Sequence, residues 1–243
     1  GAVLEDLLPA TLYAVLLVFV RIGGAMMTLP GFGESYVSQR IRLLLALSVA
    51  VVVTPLLRPD LPARPQAAPE LALLILGELF IGLFIGTLAR VFMSALSTGG
   101  MVMAYMSTMA NALVNDPASQ QQGSIISAFL NMTALVVVFS LNIHHTMLAA
   151  LVDSYAVFPP GEAPPVGDFA QLMSQTVARS FVIAMQLAAP FVVAGLILYL
   201  GVGLLSRLMP QVQIFFVAMP VQILKGIWLL MITLPVAIGW FVG

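Results

Sequence analysis

The sequence contains no cysteine. It therefore offers no disulfide, no thiolate nucleophile and no cysteine-based metal site, and it carries no sign of a redox compartment. Charge is nearly as scarce. Asp, Glu, Lys and Arg make up 8% of the 243 residues, where a soluble domain of this size carries about a quarter. The net charge is −1 and there is no cluster of basic residues, which argues against nucleic acid as a partner. No phosphate loop, nucleophile elbow or pair of catalytic carboxylates is present, and Ser107 and Ser124 have no evident base. These absences point away from an enzyme and imply no cofactor. No internal repeat is visible.

What fills the chain is apolar. It is 61% hydrophobic, with a mean hydropathy of +1.08. That is the composition of an integral membrane protein with several helical spans, or of a subunit enclosed in an apolar assembly. Glu5 and Asp6 precede the first apolar block, where a signal peptide would carry positive charge, so that block reads as a retained span.

Hydropathy divides the chain into about six blocks. Leu8 to Leu29 is the first, ended by the turn Pro30-Gly31-Phe32-Gly33. After a short polar piece from Glu34 to Arg42, Ile41 to Leu57 is the second, with Pro55 expected to stop it. Arg58 to Pro69 holds four prolines and reads as an extended loop. Leu71 to Leu96 is the third, with Gly99-Gly100 expected to break it. Ile125 to Val152 is the fourth, and the proline-rich piece from Asp153 to Asp168 reads as a loop. Val177 to Leu205 is the fifth, interrupted by Pro190, and the last runs from Gln211 with Pro220 and Pro235 inside it. The expectation is an all-α fold in a single domain spanning 1–243: membrane-type helical hairpins with about six long apolar helices, kinked or broken by Pro and Gly. Gly82 and Gly86, four residues apart, are candidates for close helix packing. The positive-inside rule gives no consistent topology, so some blocks are not simple crossings.

The odd stretch is Gly99 to Ser124. It has no Lys or Arg, and Asp116 is its only charge. Methionine occupies 101, 103, 106 and 109, and amides and hydroxyls fill much of the rest. Such a segment is too polar for lipid and too uncharged for an ordinary solvated loop. It reads as the lining or plug of a passage, with soft methionines as a deformable seal or, more simply, as core filler. Asn115-Asp116-Pro117 reads as a helix start.

Charges inside apolar blocks are the other candidates for function. Arg21, Glu78, Arg90, Arg207 and Lys225 are read as groups needing partners in an apolar setting. Glu78 and Arg90 lie roughly 18 Å apart along one helix, too far to pair. His144 and His145 are adjacent, so they point about 100° apart on a helix. They suit packing better than metal binding.

Several pieces then occur in a telling order. Leu29-Pro-Gly-Phe-Gly is followed by Val37 to Leu44 with Arg40 and Arg42. Asn115-Asp-Pro-Ala-Ser comes next, then Asn142-Ile-His-His, then Ser154 to Gly161. Gly203-Leu-Leu-Ser-Arg-Leu-Met-Pro-Gln-Val-Gln-Ile-Phe, followed by Pro220, is the most specific. Over essentially its whole length the chain resembles the FliR/SctT-like family of type III secretion export-gate proteins, and its Asn-x-His-His form looks like the flagellar branch. The resemblance implies a helical hetero-oligomer in which one FliR-type copy joins several FliP and FliQ copies, with FlhB and FlhA beside it. Unfolded flagellar export substrates pass through this conduit. It implies the bacterial inner membrane and the flagellar basal body, with contact to lipid or detergent. It also implies a plug loop near Ser107 to Ser124, beside a methionine-rich constriction supplied mainly by FliP. On this reading the plug or gate residues are Met103, Met106, Met109, Asn111, Asn115, Asp116, Pro117, Gln120, Gln121 and Gln122. Two rivals stay open: a secondary transporter for a small solute with its site near Glu78, and a purely structural nucleator of the assembly.

Overall fold

A computed structural model describes residues 2–110, 113–115, 122–209 and 214–242. Seven helices dominate: α1 (Ala2–Thr28), α2 (Gln39–Leu57), α3 (Ala68–Met106), α4 (Ile125–Ser140), α5 (Ile143–Val157), α6 (Val166–Leu208) and α7 (Ile214–Val242). A 3-10 turn covers Arg58–Asp60, and two three-residue strands, β1 (Leu113–Asn115) and β2 (Gln122–Ser124), form a small antiparallel ribbon. Among the described residues five helices are long and apolar enough to cross a membrane, or six if α4 and α5, a pair bent by 74°, count as one span.

Several boundaries differ from the sequence expectation. Gly99-Gly100 does not break α3, which runs on to Met106. Both glycines are used for close helix contact instead. A Cβ on Gly99 would sit 3.0 Å from the Ala184 carbonyl oxygen of α6, and one on Gly100 would sit 2.7 Å from the Ser127 Cα of α4. Pro55 lies inside α2, which ends two residues later at Leu57, and Pro190 lies inside α6. The expected loop from Asp153 to Asp168 shrinks to 158–165, because α5 runs to Val157 and α6 begins at Val166. The fourth block is two helices. Asn142 adopts a left-handed backbone (φ 57°) at the bend, a conformation that asparagine tolerates better than most residues.

The chain forms two compact units, each assembled from separate stretches. The first comprises Gly1–Val91 and Val138–Thr176. Its largest core joins Val18, Ile22 and Met26 of α1 to Ala46, Ala50 and Val53 of α2, with Tyr155 of α5 packed in. A smaller cluster stacks Phe84 on Phe169 with ring centroids 4.0 Å apart. The turn after α1 needs its glycines. Gly31 has φ 85°, and a Cβ on Gly33 would meet the Met27 carbonyl oxygen at 2.6 Å. Arg42 fixes this turn by donating to the carbonyls of Phe32 (2.9 Å), Glu34 (2.8 Å) and Val37 (3.4 Å).

The second unit comprises Phe92–Val137 and Val177–Gly243. Its core gathers Leu96, Met103 and Ala104 of α3, Ile126, Leu130 and Ala134 of α4, and Ala188 and Phe191 of α6. Many large apolar side chains of α6 and α7 stay exposed, among them Leu200, Leu204, Leu224, Trp228 and Met231. Exposed apolar side chains in this number suit burial against lipid or against other subunits.

Candidate functional site

The central segment lies in the second unit, and both its ends are fastened. At its start, α3 ends in a Schellman motif. The Met109 N–H donates to the Ala104 carbonyl (2.9 Å) and the Thr108 N–H to the Tyr105 carbonyl (3.3 Å). The motif needs a left-handed residue, usually glycine. Here Thr108 takes that place with φ 57°, which costs a β-branched residue about 1–2 kcal/mol. The Met106 and Ser107 carbonyls are also satisfied. Lys225 of α7 donates to the Met106 carbonyl at 3.2 Å, and the Thr108 hydroxyl donates to the Ser107 carbonyl at 2.7 Å. A cation at the C-terminal end of a helix also matches its dipole.

Two glycines receive this helix end. A Cβ on Gly195 of α6 would meet the Met106 sulfur at 3.0 Å. A Cβ on Gly226 of α7 would meet the Ser107 Oγ at 2.5 Å and its Cβ at 2.6 Å. Ser107 is fully buried, and its hydroxyl has no hydrogen-bond partner.

The other end of the segment is tied by hydroxyls. Ser124 caps α4, accepting from the Ser127 N–H at 3.1 Å, and donates to the Gly100 carbonyl at 3.3 Å. Ser127 donates to the Ser97 carbonyl at 2.8 Å, and the Asn131 amide donates to the Ser97 hydroxyl at 2.8 Å. A short polar ladder thus joins α3 to α4 inside an otherwise apolar core. Between the two ends, β1 and β2 pair with Leu113 opposite Ser124 and Asn115 opposite Gln122. Asn115 is therefore a strand residue, while Asp116 and Pro117, which complete the expected helix start, lie outside the described residues. α4 begins directly after Ser124, whose own hydroxyl caps it.

The predicted gate residues separate on this frame. Met103 is buried in the core of the second unit. Met106 and Met109 are partly buried at the edge of that core. Asn115 and Gln122 face each other across the ribbon by backbone register. Asn111, Asp116, Pro117, Gln120 and Gln121 lie outside the described residues.

The charges within and beside the apolar blocks are in different settings. Arg21 and Glu78, both fully buried in the first unit, form a two-pronged pair: Nε to Oε2 at 2.7 Å and Nη2 to Oε1 at 2.8 Å. Arg21 also donates to the Ser154 carbonyl (3.3 Å), the Ser154 hydroxyl (3.4 Å) and the Phe158 carbonyl (2.9 Å). Its guanidinium lies 3.9 Å over the Tyr155 ring. Gly82, one turn after Glu78, lets α3 approach so closely that an added Cβ would run into the Arg21 carbonyl oxygen. Gly86 meets α1 in the same way, against the Ala25 carbonyl and the Thr28 hydroxyl. Arg90 reaches Glu34 at 3.5 Å and is half-exposed. Arg207 is exposed in the last turn of α6, and Lys225 holds the end of α3. His144 packs on Phe139 and His145 with its Nδ1 3.5 Å from the Val138 carbonyl. Among the described residues no group of three His, Cys, Asp or Glu side chains gathers to hold a metal.

Ser97, Ser127, Asn131, Gly195 and Gly226 are the residues at this site that the sequence did not single out for it. Their only sequence signal is a small or polar residue inside an apolar block, and Gly226 stands out only because it follows Lys225.

Long apolar helices, five of them of membrane-crossing length among the described residues, with a small ribbon in the second unit, define a membrane-type all-α protein. Residues 12–243 match the model of the bacterial export proteins, family 1, and the chain belongs to that family. It is 39% identical over 229 residues to the flagellar biosynthetic protein FliR of Caulobacter vibrioides, covering 94% of this chain and 91% of that one. It is 30% identical over 234 residues to FliR of Bacillus subtilis (95% and 88% covered) and 27% identical over 218 residues to FliR of Escherichia coli (89% and 82% covered).

Proposed function

We propose that this chain is a core subunit of the flagellar type III protein export gate. It forms with FliP and FliQ a gated conduit for unfolded flagellar proteins in the inner membrane, within the basal body, next to FlhB and FlhA. The central segment acts there as plug or seal. The family match over 12–243 and the FliR relatives support the export role. The observation that carries the plug reading is the anchorage: an uncharged ribbon whose flanking residues are held at both ends within an apolar helical unit. Uncharged amides let an extended chain slide without tight binding, while Met106 and Met109 supply soft contacts that part and close. The exposed apolar faces of α6 and α7 suit burial against partner subunits or lipid.

The small-solute transporter is the weaker reading. Glu78 would be its natural ion site, yet both carboxylate oxygens are committed to Arg21. The plug reading is tested in the purified gate complex. Deleting Gln120–Gln122, or replacing Met106 and Met109 by Gly, should make the closed complex conduct ions. Conductance that stays at the closed level in a complex of unchanged mass would remove the plug. Crosslinking of a trapped export substrate to the central segment separates this reading from that of a structural nucleator.

A further inference from the structure

We propose that Lys225 is a positioning residue for the plug, and that with Gly195 and Gly226 it forms a catch from which the end of α3 is released when the conduit opens. This inference rests on the plug reading and adds how the plug is held. Lys225 is the sole charge in α7, and it is spent on one backbone carbonyl, that of the last α3 residue, Met106. The next residue, Gly226, receives Ser107, while Gly195 receives Met106. Two consecutive residues are therefore seated in notches on two different helices. A β-carbon at Gly226 would collide with Ser107 and push the helix end out of its seat, while one at Gly195 would press on the end of the Met106 side chain.

The seated form also carries two local penalties. The Ser107 hydroxyl is buried without a partner, and Thr108 is left-handed. Release relieves both, because the hydroxyl gains water and Thr108 returns to an ordinary backbone region. A contact held by one charge-assisted hydrogen bond and by shape, against local strain, has two discrete states. Movement of α7 is the handle that selects between them.

The absence of cysteine makes the test clean. The Met106 Cβ lies 3.4 Å from the Cβ position of Gly195, close to the separation of about 3.5–4.5 Å found across disulfides. Met106→Cys with Gly195→Cys, in the full gate complex, should crosslink on oxidation. The oxidised complex should stop exporting flagellar protein, and dithiothreitol should restore export by the same protein. Lys225→Met, in a complex of unchanged mass, should raise closed-state ion conductance about tenfold or more, the effect of losing one charge-assisted hydrogen bond. Lys225→Arg should stay near the closed level. The catch is overturned if the crosslink fails to form, if the crosslinked complex exports as well as the reduced one, or if Lys225→Met stays closed. Where deletion of Gln120–Gln122 leaks but these variants behave like the parent, the plug stands without the catch. Where that deletion does not leak, the plug itself fails.

Discussion

Replacing Glu78 by Gln exchanges a single heavy atom, one carboxylate oxygen for an amide nitrogen, yet it should be among the most damaging single substitutions in the first unit. Arg21 is wholly enclosed, so it keeps its charge without an anion to balance it. The glutamine oxygen can still accept one of the two short bonds, at 2.7 and 2.8 Å in the parent. The new amide N–H₂ then faces an Arg21 N–H, donor against donor. Removing one partner of a buried ion pair costs about 3–5 kcal/mol. The bonds to Ser154 and Phe158 and the Tyr155 ring remain, so the cost should not exceed that range. For a chain of this size each kcal/mol moves the melting temperature by roughly 2–4 °C, so the fall should be about 6–20 °C. The assay is a thermal scan of the detergent-purified protein at one fixed scan rate, followed by circular dichroism. The double variant Arg21→Met with Glu78→Met removes both charges and fills the space, and should recover most of the loss. If Glu78→Gln melts within about 2 °C of the parent, or if the double variant is worse than the two single losses combined, the reasoning about this pair is refuted.

Two other substitutions test the packing. Gly82→Ala should destabilise by about 1–3 kcal/mol or more, because its methyl runs into the Arg21 carbonyl and an overpacked core must shift. Gly77→Ala, on the same helix with no atom within 4 Å of its Cβ position, should be neutral or gain up to about 1 kcal/mol from helix propensity, and denaturant unfolding distinguishes the two. Thr108→Gly should raise stability by about 0.5–1 kcal/mol by relieving the left-handed backbone, read as a higher melting temperature, and a fall instead would show that the hydroxyl bond to Ser107 outweighs the strain.

The sequence made the apolar helices legible because a long hydrophobic run has few alternatives. It also marked Arg21, Glu78 and Lys225 as charges needing partners. It did not show who the partners were, since Arg21 and Glu78 are 57 residues apart and Lys225 reaches a backbone carbonyl that every residue type carries. Gly99-Gly100 misled for a physical reason: locally glycine weakens a helix, but here the missing side chains admit two neighbouring helices. The start of α6 was missed because 166–176 is polar enough to pass for loop. Strands of three residues carry no usable period, so the ribbon was invisible. The end of α3 was obscured because threonine stands where glycine would have announced the turn.

The ribbon's register has one more implication. Leu113 is paired with Ser124 and Asn115 with Gln122, so the two feet of the segment are bound to each other before either is bound to a helix. The footing at Ser107, Lys225 and Ser124 is thus closed by main-chain pairing as well as by side chains. Main-chain pairing does not depend on side-chain identity, so the two feet can stay joined while the residues at 113–115 and 122–123 vary.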